Sequence, residues 1–98
     1  MWVGCLEFDL LLGDVHSLKQ KRALVRPVIN ELRRRFLVTA TEFRYVDLYR
    51  RVGIGVACAG AEQRHLAEVL DAVEQFVAGR GEYELLSTSR TFFNTDDS

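Results

Sequence analysis

Trp2-Val3-Gly4-Cys5-Leu6-Glu7-Phe8-Asp9-Leu10-Leu11-Leu12 opens the chain and carries its clearest pattern. Trp2, Leu6, Phe8, Leu10 and Leu12 alternate with Val3, Cys5, Glu7, Asp9 and Leu11, so the even positions share one face and both carboxylates lie on the other. Period two with one apolar face is the mark of a strand lying on a core. Gly13-Asp14 ends it.

A helix is expected from Ser17. Ser17 and Gln20 fit the S-x-x-Q capping box, in which each side chain serves a free backbone amide of the other residue. Leu18, Val25, Ile29, Leu32 and Phe36 recur at helical spacing and mark one apolar face. Pro27 lies inside this pattern, removes one backbone hydrogen bond and is expected to bend the helix. Val38 to Arg44 alternates and is rich in β-branched residues, which predicts a second strand, with a turn over Tyr45 to Tyr49. Arg51 to Ala59 predicts a third strand. One side carries Val52, Ile54, Val56 and Cys58, and the other carries Gly53, Gly55, Ala57 and Ala59. A second helix follows over 62–78, with Leu66, Val69, Leu70, Val73, Phe76 and Val77 on its buried face, although Gly60-Ala61 offers it no polar N-cap. Gly79 and Gly81 suit its C-terminal end. A fourth strand over 82–93 leaves 94–98 as a frayed tail.

Strand, helix, hairpin, helix, strand is the split βαβ order of an α+β, ferredoxin-like βαββαβ fold. Right-handed crossovers put the first and third strands in the centre of a four-stranded antiparallel sheet, with both helices on one face and the other face open. The 98 residues are enough for one domain, 1–98. Hydrophobic residues make up 48% and charged residues 28%, the balance of an ordinary globular chain. No apolar run approaches the ~20 residues that span a bilayer. Residues 1–12 lack a basic start and contain Glu7 and Asp9, unlike a secretory signal. Cys5 and Cys58 match no metal spacing and read as reduced thiols, so the expected location is cytoplasmic.

Net charge is −1, but its layout is uneven. Between Ser17 and Phe36 stand Lys19, Lys21, Arg22, Arg26, Arg33, Arg34 and Arg35 against the single anion Glu31. Lys19, Lys21 and Arg22 sit near a helix start, where the dipole disfavours cations by ~0.3–1 kcal/mol each. Lys21 and Arg22 also fall between Leu18 and Val25, where an apolar residue is expected. They require either an internal carboxylate, for which Asp14, Glu42 and Asp47 are candidates, or an external anion such as phosphate. His16, Lys19, Lys21, Arg22 and Arg26 are therefore the candidate anion or RNA contacts. Arg33, Arg34 and Arg35 suit the C-terminal dipole, and with Arg26 they form a stripe able to track a nucleic-acid backbone.

Other patterns point away from chemistry. His16 and His65 stand apart from any serine or cysteine nucleophile motif. Gly53, Gly55 and Gly60 have the wrong spacing for a dinucleotide loop and fit close strand packing. Glu7 and Asp9 lack a pocket to separate their pKa values and are expected to keep the open face soluble or to pair with Arg90 or Arg44. The third strand has no aromatics to stack bases, unlike an RNA-recognition module. Gly13-Asp14-Val15-His16 is not an arginine-bearing phosphate loop of acylphosphatase type. Val3, Cys5, Leu11, Gly53, Gly55 and Ala57 mark the open sheet face as a candidate oligomer face.

Trp2-Val3-Gly4, His16-Ser17-Leu18-Lys19-Gln20-Lys21-Arg22, Arg26-Pro27, Asp47-Leu48-Tyr49 and Gly55-Val56-Ala57 together resemble the YlxP-like family of small bacterial proteins, domain of unknown function 503. The resemblance spans essentially the whole chain, and its most specific element is Ser-Leu-Lys-x-Lys-Arg. It implies a ferredoxin-like fold and a gene set among those for transcription elongation, translation initiation and ribosome maturation, with no established activity. The expectation is a non-enzymatic accessory protein contacting ribosomal RNA or ribosomal particles, without cofactor or metal and with neither membrane nor DNA as partner. Two alternatives stand beside it: a homodimeric scaffold module, and a small-anion binder or enzyme at the start of the first helix.

Overall fold

The first strand, β1 (Trp2–Leu12), is the axis of the sheet in the computed structural model, which describes residues 1–96. Helix α1 (Leu18–Phe36) follows, then β2 (Thr39–Arg44), β3 (Arg51–Gly60), α2 (Gln63–Ala78) and β4 (Tyr83–Asn94). The strands form one antiparallel sheet in the order β2-β3-β1-β4, so β1 and β3 are central. This is the ferredoxin-like α+β fold that the alternation and helical spacings predict.

The even face of β1 is buried as its pattern requires. Leu6, Phe8, Leu10 and Leu12 join Val52, Ile54 and Val56 of β3 beneath both helices. Val25, Val28, Ile29 and Leu32 come down from α1, and Leu70, Val73 and Val77 from α2. Full burial of one such side chain contributes ~1.5–3 kcal/mol, so this single cluster fixes which face each element turns inward.

Several local features refine the expectations. Ser17 Oγ accepts from the Gln20 amide at 3.1 Å, but Gln20 Oε1 accepts from the His16 amide at 2.7 Å, one residue before the position a reciprocal box uses. Helix α1 runs unbroken through the exposed Pro27 and ends at Leu37 in the left-handed region, φ 54°. Helix α2 starts after Glu62, which makes no side-chain cap bond. The expected frayed tail is tied down in part: β4 reaches Asn94, the Thr95 amide donates to the Met1 carbonyl at 2.9 Å, and the Asp96 amide donates to Asn94 Oδ1. Residues 97 and 98 of that tail lie outside the described residues.

Two irregularities appear where simple alternation is expected. The β1–β4 register shifts between Asp9 and Leu10, leaving Leu86 as an extra residue. The β2–β3 register shifts between Glu42 and Arg44, making Phe43 the extra residue. Such a bulge bends its strand and re-aims the side chains on it.

Candidate functional site

The cations of α1 are sorted by helical rotation, at about 100° per residue. Lys21 turns inward and is only 2% exposed. Its Nζ donates to the Tyr45 carbonyl at 2.8 Å and the Val46 carbonyl at 3.4 Å, and lies 2.8 Å from Glu42 Oε2 as a charge contact. Of the three carboxylates proposed as internal partners, Glu42 is the one the fold supplies. Lys21 therefore anchors the start of the β2–β3 turn and is withdrawn from the set of external anion contacts. A charge so far from water is retained only with such partners.

His16 is also spoken for. Its Nε2 lies 2.6 Å from Asp14 Oδ1, which puts a carboxylate beside the imidazole. Lys19 is exposed, has no carboxylate within 4.0 Å among the described residues, and lies apart from the groove described next.

Arg22 and Arg26 turn outward and meet other polar groups. They lie about 40° apart on the helix, with Arg33 about 20° from Arg22, so the three occupy one side of α1. Together with Asn30 they form one wall of a groove of about 460 Å³; Thr41 and Glu42 of β2 form the other wall, and Val25 and Ile29 lie along its floor. Arg33 Nε donates to the Ala40 carbonyl at 3.0 Å, pinning α1 to the free edge of β2. Neither Arg22 nor Arg26 has a carboxylate within 4.0 Å among the described residues. Glu42 is offset by Lys21, so the uncompensated charge of the groove is cationic. Arg34 pairs with Glu31, and Arg35 lies over the Phe36 and Phe76 rings, so neither joins this wall.

Sequence reasoning thus brings Arg22 and Arg26 to the site and under-reads Arg33. Its relation to Arg22 and Arg26 (eleven and seven residues on) was the available signal; its bond to Ala40 requires knowing that β2 lies beside α1.

The open sheet face carries Val3, Cys5, Leu11 and Ala57 as expected, all partly buried. Its glycines behave differently. A Cβ on Gly53 would lie 2.6 Å from Cβ of Arg44, and one on Gly55 would lie 3.3 Å from Phe43 Cδ1. The β2 bulge lays both side chains over the stripe, so Gly53 is buried and does not belong to a free oligomer face. Glu7 meets Arg44 at 4.0 Å, one of its two expected partners. Asp9 instead takes a bidentate pair with Arg51, at 3.1 and 2.6 Å, and this bond raises the Arg51 pKa. Arg90 stands on the helix side and pairs with Asp71 and Glu74 of α2. Cys5 lines the open face, whereas Cys58 packs toward the core, where burial foremost, and the charge of Cys5, push its thiol pKa up. Among the described residues no three His, Cys, Asp or Glu side chains converge in a metal-binding group, and no helix is long and apolar enough to cross a membrane.

Fold and site together define a ferredoxin-like α+β protein with an arginine-walled groove along its first helix. The chain belongs to the family described as "Protein of unknown function (DUF503)", whose model matches residues 3–90. It is similar to the "Uncharacterized protein YlxP" of Bacillus subtilis (strain 168), with 26% identity over 91 residues, covering 93% of this chain and 99% of that protein.

Proposed function

We propose that this protein is a non-enzymatic, cytoplasmic accessory factor that associates with ribosomal RNA or ribosomal particles, taking RNA phosphates against the Arg22–Arg26–Arg33 wall. The observation that carries this reading is a pair of arginines, Arg22 and Arg26, facing a groove with no carboxylate of their own among the described residues. Guanidinium groups match phosphate oxygens in a planar, two-point fashion and are less strongly hydrated than ammonium groups. Helical rise puts Arg22 and Arg26 about 6 Å apart along the axis, and Arg33 about 10 Å further on. That ladder suits successive phosphates of a strand better than one small anion. The gene neighbourhood implied by the family resemblance favours ribosomal RNA over DNA.

Phosphate contacts of this kind release counterions and weaken steeply with salt. The protein is expected to co-sediment with ribosomal particles at about 50 mM salt and to be released well before about 300 mM. Arg22→Ala with Arg26→Ala should abolish most of the low-salt association. A wild-type protein that stays in the supernatant at low salt contradicts the proposal.

A further inference from the structure

The helix-covered face of the sheet is closed, while no described helix or strand packs on the opposite face. Phe43 is 38% exposed and Phe93 50% exposed, one at each end of the strand order. Between them an apolar trough of about 440 Å³ runs over Cys5, Phe43 and Ala57, edged by Thr39, Thr41 and Thr91. Contiguous apolar surface of this kind on a small protein marks a contact site. We propose that this face is an isologous homodimer interface, in which two copies pack sheet to sheet about a two-fold axis.

Three features select a second copy as the occupant. The first is area. The four strands, of 11, 6, 10 and 12 residues and spaced about 4.8 Å apart, have a flat footprint of about 600 Å² per copy, hence about 1,200 Å² in all when the whole face is covered. That reaches the lower bound of stable protein interfaces, about 1,200–2,000 Å².

The second is charge. Asp9 and Arg51 satisfy each other at 2.6 Å, leaving the Glu7–Arg44 pair, loose at 4.0 Å and half-exposed on both sides, as the reachable charge midway along the face, with the exposed Glu84 opposite Leu11 at its end. A two-fold axis passing beside this pair sets Glu7 of each copy against Arg44 of the other, and the two contacts are then reciprocal. The cation-rich α1 lies on the far side of the sheet, and two copies meet without opposing it.

The third is the seat of Phe43. Gly55 lets its ring lie against β3, and the Arg44 guanidinium stands 4.8 Å from the ring centre. An aromatic ring held in place before contact loses less entropy on association. The resulting assembly is a four-layer sandwich with the helices outside, and it presents both arginine grooves to solvent. Dimerisation stands independently of RNA binding.

Light scattering and sedimentation equilibrium across a concentration series test it. The wild type should have twice the chain mass at micromolar concentration. Phe43→Glu, Glu7→Arg and Arg44→Glu should each raise the dissociation constant at least about tenfold, as expected for an unpaired or opposed charge in a contact. Mixing the Glu7→Arg protein with the Arg44→Glu protein should restore a dimer, because each then carries the charge that the other lacks. Far-UV circular dichroism checks folding, and Thr91→Arg, at an exposed strand position on the trough and away from the arginine groove, gives a variant that leaves the core untouched and should also be monomeric. A wild type that stays monomeric into the millimolar range overturns the proposal. So does a dimer whose mass is unchanged by Thr91→Arg or by either charge reversal.

Discussion

Lys21 and Arg22 are neighbours in the chain, carry the same charge and oppose the same helix dipole, yet they meet opposite environments. One turn of about 100° puts Lys21 into the core against Glu42 and two loop carbonyls, and leaves Arg22 in an open groove with Arg26 and Arg33. A count of cations along a helix is therefore not a binding surface. Rotation divides it into a charge that holds the fold together and charges left free to meet something else.

The comparison breaks most readily at Lys21. Lys21→Met fills a similar volume but leaves Glu42 and the Tyr45 carbonyl without their partner, and should cost about 3–4 kcal/mol in urea unfolding. Association with ribosomal particles should survive wherever the variant is folded. Unchanged stability would place Lys21 with the surface charges after all.

The same inward–outward contrast holds among the glycines. Gly53→Ala forces Arg44 and its bulged strand to shift and should cost about 2 kcal/mol. Gly13→Ala meets nothing within 4 Å and should change stability by no more than about 0.5 kcal/mol. Equal effects at the two positions would deny the bulge its role.

A half-buried hydroxyl adds a pH-dependent effect of about 1 kcal/mol. Tyr83 OH donates to the Val77 carbonyl at 2.7 Å, and burial first, with a smaller push from Glu82 opposed by Arg80, raises its pKa to about 12. The folded state thus keeps a proton that the unfolded chain releases near pH 10. Stability from this difference is intact below pH 10 and is lost as pH rises from 10 towards 12. Tyr83→Phe should cost about 1 kcal/mol at neutral pH and flatten the alkaline decline in a pH series of urea melts.

The element order and the buried faces are legible in the sequence, because Leu6-x-Phe8-x-Leu10-x-Leu12 and the spacings of Val25, Ile29 and Leu32 reflect local geometry. The set of carboxylates able to meet Lys21 is legible too, as Asp14, Glu42 and Asp47. The choice of Glu42 is not, since it depends on β2 lying beside α1. The bulge at Phe43 escapes for a related reason. It is a register relation between two strands, and alternation within one strand carries no sign of it. Arg33 suits its helix terminus so well that its tertiary bond to Ala40 leaves no anomaly to notice.

The central claim is that the outward arginines, and not the whole basic helix, form the RNA-contacting surface. Its most direct test is the salt dependence of binding to a ribosomal RNA fragment, compared between wild type, Arg22→Ala/Arg26→Ala and Lys21→Met. The double variant should bind at least about tenfold more weakly and lose about 1.5–2 from its log–log salt slope, as two missing phosphate contacts require. Lys21→Met should keep the wild-type slope. An unchanged slope in the double variant, or an equal loss in Lys21→Met, would contradict the account.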